Sequence, residues 1–455
     1  MMTLDEVAMA VGATTNHASG RIDGVATDTR TMTPGCLFVA LRGARFDGHA
    51  FLKDAASAGA VAALTDRPPE PGWPPCLVVS DTRHALGRLA AHWRRKMPAK
   101  VLAVTGSNGK TSVKELTARI LARGRRGIAT QGNLNNDIGL PLTLLRLRPE
   151  HDYAVVEIGM NRPGEIAALG ALAAPDAAVV TNAGAAHLQG LGTVEAVAHE
   201  KGSLYSSLGG HGTAVINIDD TYAPYWTGLA PGPILTYGLS PLADVSARFT
   251  LRDYGTELSI CAPGWSTPLA ARLALLGRHN VANALAATAL ALTFGASREG
   301  IAEGLAQALP VAGRLDSVHG FAGSRLIDDS YNANPDSARA ALEVLAALPG
   351  ERWFVLGDMA ELGDAAAHMH RAFGAAAAAS KVEHLWTLGP LAREAAVAFG
   401  AGGRHYEDHE TLVRDLKAVL HEDAVVLVKG SRSMRMERIA SALRVGGGSD
   451  VPAHH

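Results

Sequence analysis

Short, continuous apolar runs alternate along this chain with stretches in which apolar positions recur every three or four residues. The first pattern reads as buried strand and the second as helix with one buried face. Val101-Leu102-Ala103-Val104, Ala154-Val155-Val156-Glu157-Ile158, Ala177-Ala178-Val179-Val180-Thr181 and Ala214-Val215-Ile216-Asn217-Ile218 are runs of the first kind, with helical patterns between them. That alternation predicts a parallel sheet with helices on both faces. Upstream, residues 5–11, 51–60 and 86–96 have helical spacing, and residues 35–41 and 61–64 read as strands. The proline-rich run 68–75 is a surface loop. Residues 233–275 mix short apolar and polar stretches, Leu251-Arg252-Asp253-Tyr254 among them, and predict an antiparallel flank. Residues 280–295 form an Ala/Leu helix. Past Gly313, residues 326–329, 353–357 and 425–430 are strand-like and 338–348 helical, a second and smaller α/β unit. The alanines 375–379 are helix filler.

A chain of 455 residues is too long for one core, and its length suggests about three domains. Pro and Gly place hinges near Met97-Pro98 and Ala312-Gly313. The units are then 1–97, 98–312 and 313–445, with a glycine-rich flexible tail at 446–455 whose closing His454-His455 lack metal spacing. With 47% hydrophobic and 19% charged residues, the composition is that of a globular protein. A net charge of -2 offers no basic field for nucleic acid or anionic lipid. The three cysteines are far apart and without metal spacing, as in a reduced compartment. No run approaches the ~18 apolar residues of a membrane span. The acidic start Met1-Met2-Thr3-Leu4-Asp5-Glu6 lacks a leader pattern. The expectation is a cytoplasmic monomer that does not insert into membranes.

Chemistry concentrates after the first core strand, in Thr105-Gly106-Ser107-Asn108-Gly109-Lys110-Thr111-Ser112. A strand, a glycine turn and a helix N-terminus together make a phosphate cradle of backbone N–H groups. Lys110 reaches terminal phosphates and the Thr111 hydroxyl suits Mg²⁺. The generic pattern also wants glycine at position 104, which is valine. Glu157 ends a neighbouring core strand, where a carboxylate offers hard oxygen to Mg²⁺; otherwise it is a surface acid. His187 follows another core strand and is as readily structural as functional. Lys201, read alone, is a solvated surface lysine. The amides of Gln131-Gly132-Asn133-Leu134-Asn135-Asn136 suit phosphate or carboxylate oxygens, or simply form a polar loop.

These residues in this order resemble the Mur ligase family, the ATP-dependent amino-acid and peptide ligases of bacterial cell-wall synthesis. The resemblance implies an α/β, three-domain architecture: a central P-loop parallel-sheet ATPase domain between an N-terminal nucleotide-substrate domain and a smaller Rossmann-like C-terminal domain. It accounts for the missing glycine, because Thr105 to Thr111 is similar to the family's own phosphate loop. It implies that Thr111, Glu157, His187 and a carbamylated Lys201 hold two Mg²⁺ ions, with Lys110, Lys201 and His187 as catalytic groups. Gly277-Arg278-His279-Asn280-Val281-Ala282-Asn283 is similar to the adenine-side motif, with Asn283 as the base contact, and Arg314 and Asp329 to phosphate and ribose contacts.

Three segments resemble the family's D-alanyl-D-alanine-adding branch: residues 131–143, 329–335, and 355–363 with His368. Thr27-Asp28-Thr29-Arg30, residues 37–43 and Asp47-Gly48-His49 resemble a uridine-nucleotide domain. The implied substrates are UDP-N-acetylmuramoyl-tripeptide, D-alanyl-D-alanine and ATP. The implied substrate contacts are Asp28, Thr29, Arg30, Gly48, His49, Asn133, Asn135, Asn136, Asn332, Asn334 and Lys429. Asn334, Arg339 and Lys429 are candidates for the dipeptide carboxylate. The alternatives are the diamino-acid-adding branch, whose usual Asp-Asn-Pro-Arg is missing from this sequence, the folate polyglutamate-adding type, and a P-loop ATPase switch.

Overall fold

A computed structural model describes residues 1–13, 20–43, 46–252 and 255–445. The expectations for the tail and for Asp253-Tyr254 fall outside them. The first unit carries a parallel sheet in the order Gly24–Ala26, Cys36–Val39, Ala62–Thr65 and Cys76–Val78. The central sheet is six-stranded and wholly parallel: Ile234–Tyr237, Thr213–Asn217, Ala177–Val180, Lys100–Thr105, Tyr153–Glu157, Gly127–Ala129. Its strands look continuously apolar because both faces are covered. Val101 and Ala103 enter one core, while Leu102 and Val104 enter the other. That is the two-residue alternation of a strand between helical layers.

The flank expected at 233–275 begins later than the sequence suggests. Ile234–Tyr237 follows the helix Ala223–Leu229 and joins the central sheet in parallel. Only Ser246–Arg252, Gly255–Cys261 and Leu269–Leu273 form the antiparallel sheet.

Met97-Pro98 is a fixed joint, contrary to expectation. Met97 is buried, and the helix Thr82–Lys96 packs on the helices Gly139–Leu145 and Glu165–Ala173. Arg94 Nε donates to the Ala173 carbonyl at 3.0 Å, and the guanidinium pairs with Asp176 at 3.0 Å. One core runs from Leu37 and Leu86 of the first unit to Leu144 and Ile166 of the second. Sliding these units apart would expose that apolar surface.

The third unit is built differently. Its sheet order is Asp316–His319, Arg325–Asp329, Ala424–Lys429, Glu351–Gly357, His384–Leu388, Gly403–Tyr406, parallel except for the first strand. Its two cores contain only its own residues. The chain enters it through Gly313, at φ 71°. Polar contacts hold it against the central unit, and those contacts surround the site.

Candidate active site

The strand Lys100–Thr105 lies between Ala177–Val180 and Tyr153–Glu157, with Val180 beside Thr105 and Glu157 beside Val104. In an open parallel sheet, ligands bind beyond such strand ends where the order reverses. The phosphate loop leaves there. A Cβ on Gly106, at φ 148°, would lie 1.8 Å from Thr181 Oγ1, and one on Gly109, at φ 82°, 2.3 Å from Asn283 Oδ1. Both positions require glycine because the loop is pressed against its neighbours. Asn182, at the end of the adjoining strand, accepts from Asn108 N through Oδ1 at 2.9 Å and shapes the loop. The helix Lys110–Leu121 then begins.

Lys110 Nζ donates to the Gly106 carbonyl at 2.6 Å. Burial pushes its ammonium below the ordinary lysine value; the nearby Glu157 charge opposes this and Arg314 adds to it. Thr111 Oγ1 donates to Glu157 Oε2 at 2.9 Å, and Asn135 Nδ2 donates to Glu157 Oε1 at 2.8 Å. The backbone N–H of Glu157 donates to Thr130 Oγ1 at 2.9 Å. Glu157 is buried, so it is not a surface acid. Asn135, an expected substrate contact, lines the cleft and holds this carboxylate.

Lys201 is also buried, which corrects the surface reading. Burial first, and the Lys110 charge second, hold its amine well below the ordinary lysine range. Glu200 opposes this, but its oxygens accept from Gly164 N and Ile166 N, each at 2.9 Å. His187, at φ 59°, pairs through Nδ1 with Glu361 Oε2 of the third unit at 2.8 Å. That hydrogen bond lowers the Glu361 carboxyl from its ordinary value.

The third unit meets the phosphate loop directly. Asn334 Nδ2 donates to Asn108 Oδ1 at 2.8 Å, and Asp336 Oδ2 accepts from Ala185 N at 2.9 Å. Arg314 donates to Thr111 Oγ1 at 3.1 Å and stacks on Tyr331 at 4.3 Å, while its Nε is buried without a partner. Together these walls enclose a cleft of about 1520 Å³ reaching all three units. Ser107 to Lys110, Asn133, Asn136, Asn283, Asp329 and Asn332 line it.

Asn334 and Lys429 also line the cleft, each with a partner inside the protein. Asn334 caps the helix Pro335–Ala346 through Ser337 N, so its carbonyl oxygen is committed. Lys429 Nζ is buried against Asp329 at 2.6 Å. Burial raises the Asp329 carboxyl, and Lys429 opposes that rise. Arg339 is exposed and does not line the cleft. Asp28, Thr29, Arg30, Gly48 and His49 do not line it either. Asp28 pairs with Arg30 at 2.7 Å, and His49 is buried with Nδ1 on Asp47 at 2.6 Å. His368 is exposed; its neighbour His370 is buried and accepts from Met359 N at 2.9 Å. Nothing local in the sequence marks Thr130, Asn182 or Asp336 as part of this site, and Glu361 stands out only within the segment 355–363. Among the described residues, no cluster of three His, Cys, Asp or Glu could hold a metal.

His279 carries a testable consequence. Burial, reinforced by the Lys429 charge, lowers its pKa from 6.5 to about 4. The unfolded chain therefore binds the proton first on acidification, and stability falls as pH drops through this window. Expected result: His279→Gln melts with a shallower pH dependence between about 6.5 and 4 than wild type in thermal scans.

Known proteins match this arrangement along its length. Residues 21–94 match the family model described as Mur ligase family, catalytic domain; 104–291 match Mur ligase middle domain; 313–432 match Mur ligase, glutamate ligase domain. The chain belongs to the Mur ligase family. It is 44% identical over 453 residues to the UDP-N-acetylmuramoyl-tripeptide--D-alanyl-D-alanine ligase of Escherichia coli K12, covering 98% of this chain and 99% of that one. The fold superposes on crystal structure I of MurF from Acinetobacter baumannii with TM-score 0.89 at 34% identity, over 97% and 98% of the two chains. It superposes on MurF ligase from Thermotoga maritima, solved in complex with ADP, with TM-score 0.82 at 27% identity, over 93% and 96%.

Proposed function

We propose that this chain joins D-alanyl-D-alanine to UDP-N-acetylmuramoyl-tripeptide at the expense of ATP, forming the pentapeptide nucleotide, ADP and phosphate in peptidoglycan synthesis. The full-length similarity to ligases of that name supports the reaction. The observation that carries the reading is the cleft itself, in which a phosphate loop, a Thr111–Glu157 pair and a wall of the third unit meet.

A carboxylate is a poor electrophile, and ATP activates it as an acyl phosphate. The peptide carboxylate attacks the γ-phosphorus in line and ADP leaves; the dipeptide amine then attacks the acyl carbon and expels phosphate. Charge grows on phosphoryl oxygens in the first step, and fixed cations lower that barrier. Lys110 and Arg314, both held at the loop, are the cations this reading assigns to that role. Arg314 Nε is buried without a partner, an unspent donor on the same guanidinium. Asn283, Asp329, Asn133, Asn136 and Asn332 line the cleft; in this reading the first two take the nucleotide and the other three the substrate. The residues at 28–30 and 48–49 belong in this reading to the uridine end. Closure of the third unit through Asn334, Asp336 and Glu361 excludes water from the acyl phosphate.

Two Mg²⁺ ions complete the reading. The Thr111 hydroxyl and Glu157 carboxylate supply the hard oxygens of one site. His187 and Lys201 belong to the other, where the lysine becomes an oxygen donor only as its carbamate. Bound Mg²⁺ neutralises phosphate charge. Asn135→Ala leaves Glu157 free to turn, and support of this kind commonly accounts for 10–100-fold in metal affinity. Expected result: calorimetric titration of ATP into Asn135→Ala needs about tenfold more Mg²⁺ to reach wild-type affinity.

The reaction is tested by phosphate release with ATP, Mg²⁺ and the tripeptide nucleotide, with and without D-alanyl-D-alanine. Strong dipeptide stimulation and a product of pentapeptide mass are expected. Stimulation only by a diamino acid with the dipeptide nucleotide would overturn the assignment.

A further inference from the structure

The incoming dipeptide carries a C-terminal carboxylate, which needs a cation when it leaves water. Three cations of the third unit line the cleft: Arg314, Lys429 and Arg432. Lys429 is spent on Asp329 at 2.6 Å. Arg314 is turned to the phosphate loop through Thr111. Arg432 is different. Its side chain is 61% exposed, and its ion pair is a 3.4 Å contact with Glu437. An exposed pair of that length orients a guanidinium without neutralising it.

The loop holding Arg432 is rigid. Ser431 Oγ donates to the Ala333 carbonyl at 3.2 Å and accepts from Ala360 N at 2.7 Å. Ser431 N donates to the Asp358 carbonyl at 2.9 Å, and His409 Nε2 bonds the Met434 carbonyl at 2.9 Å. A pinned loop leaves only the side chain to be ordered when its cation binds an anion.

We propose that Arg432 binds the C-terminal carboxylate of D-alanyl-D-alanine beside the Tyr331 ring. This rests on the ligase reading above. The Arg314 and Arg432 guanidinium carbons lie 4.3 and 5.8 Å from the centroid of that ring, so one ring adjoins both the phosphate-loop cation and the outer one. An extended dipeptide spans about 7 Å, while a single amino acid spans about half of that. Arg432 therefore selects a dipeptide over free D-alanine by setting where the carboxylate ends.

The test compares wild type, Arg432→Met and Arg432→Lys on D-alanyl-D-alanine and on D-alanyl-D-alaninamide, at saturating ATP and tripeptide nucleotide. Arg432→Met is expected to raise the dipeptide KM about 30-fold, the scale of one charge-assisted pair, with the ATP KM unchanged. Wild type prefers the acid to the amide by a similar factor, and Arg432→Met loses that preference. Arg432→Lys recovers part of it, because a point charge replaces a two-pronged donor. An Arg432→Met enzyme that keeps the wild-type preference for acid over amide overturns the proposal. A wild type that ligates neither compound overturns the ligase reading instead.

Discussion

Replacing Lys110 with methionine lowers kcat for dipeptide ligation by about 10³-fold, near 4 kcal/mol of transition-state stabilisation. The reason lies in where the ammonium sits. It is held by the Gly106 carbonyl at 2.6 Å inside the loop that would wrap the phosphates. Burial already disfavours its charged form, with Arg314 adding to the penalty. Such a cation costs the empty protein something and returns it when phosphoryl charge develops. Methionine keeps the stem and removes the charge. The melting temperature of the ligand-free variant should therefore match or exceed wild type, while kcat collapses. Single-turnover phosphate release separates the chemical step from nucleotide binding. A variant that loses activity by unfolding, or one that retains kcat, contradicts this role.

How far the sequence exposes this site depends on the range of the forces involved. The central sheet is visible because strands covered on both faces must be apolar at every position, as Val101 to Val104 are. The phosphate loop is visible because its glycines satisfy local backbone demands at Gly106 and Gly109. Partners across units are a different matter. Asn334 meets Asn108 at a separation of 226 residues, and Arg314 meets Thr111 at 203. Nothing local marks such pairs. Asn334 read as a substrate amide, yet Asn-Pro-x-Ser is also the signature of a capped helix start with proline at its first position, which the structure shows. The expected hinge at Met97-Pro98 failed because proline marks a bend in the chain, whereas mobility depends on what is buried around it. There, a shared core and Arg94 hold the units together. Gly313 has no such core to cross.

Lys201 shows the same limit on a single helix, Val194–Gly202. Val197 and Lys201 are four residues apart and both are buried, so they share the inward face. The spacing was in the sequence, but a lysine on an inward face is so costly that the solvated reading is the natural default. Its burial is thus itself a sign of function, because evolution retains an unfavourable group where chemistry uses it.

Replacing Lys201 with alanine should abolish ligation, lowering kcat by about 10³-fold or more, the loss expected when a fixed charge at a phosphoryl-transfer site is removed. Burial first, and the Lys110 charge second, push the amine well below the ordinary lysine range, which raises the share of the neutral, nucleophilic form. Attack of its lone pair on CO₂ forms an N–C bond and releases one proton, leaving a carbamate anion. Two cations that repelled one another then become an ion pair, and the site gains an oxygen ligand of the kind Mg²⁺ prefers. Wild type exhaustively freed of CO₂ should lose activity and recover it with bicarbonate, whereas the alanine variant should not respond to bicarbonate. A short carboxylate such as acetate should restore part of the variant's rate by occupying the vacated space. With ¹³C-bicarbonate, wild type should show a carbamate carbon resonance that the variant lacks. Stability supplies an independent sign: Lys201→Met, which keeps the buried stem and removes the amine repelled by Lys110, should raise the melting temperature of the ligand-free protein while activity disappears. A structural lysine would move both downward together. Full activity in the alanine variant would sink the carbamate, and with it the assignment of Lys201 to the second metal.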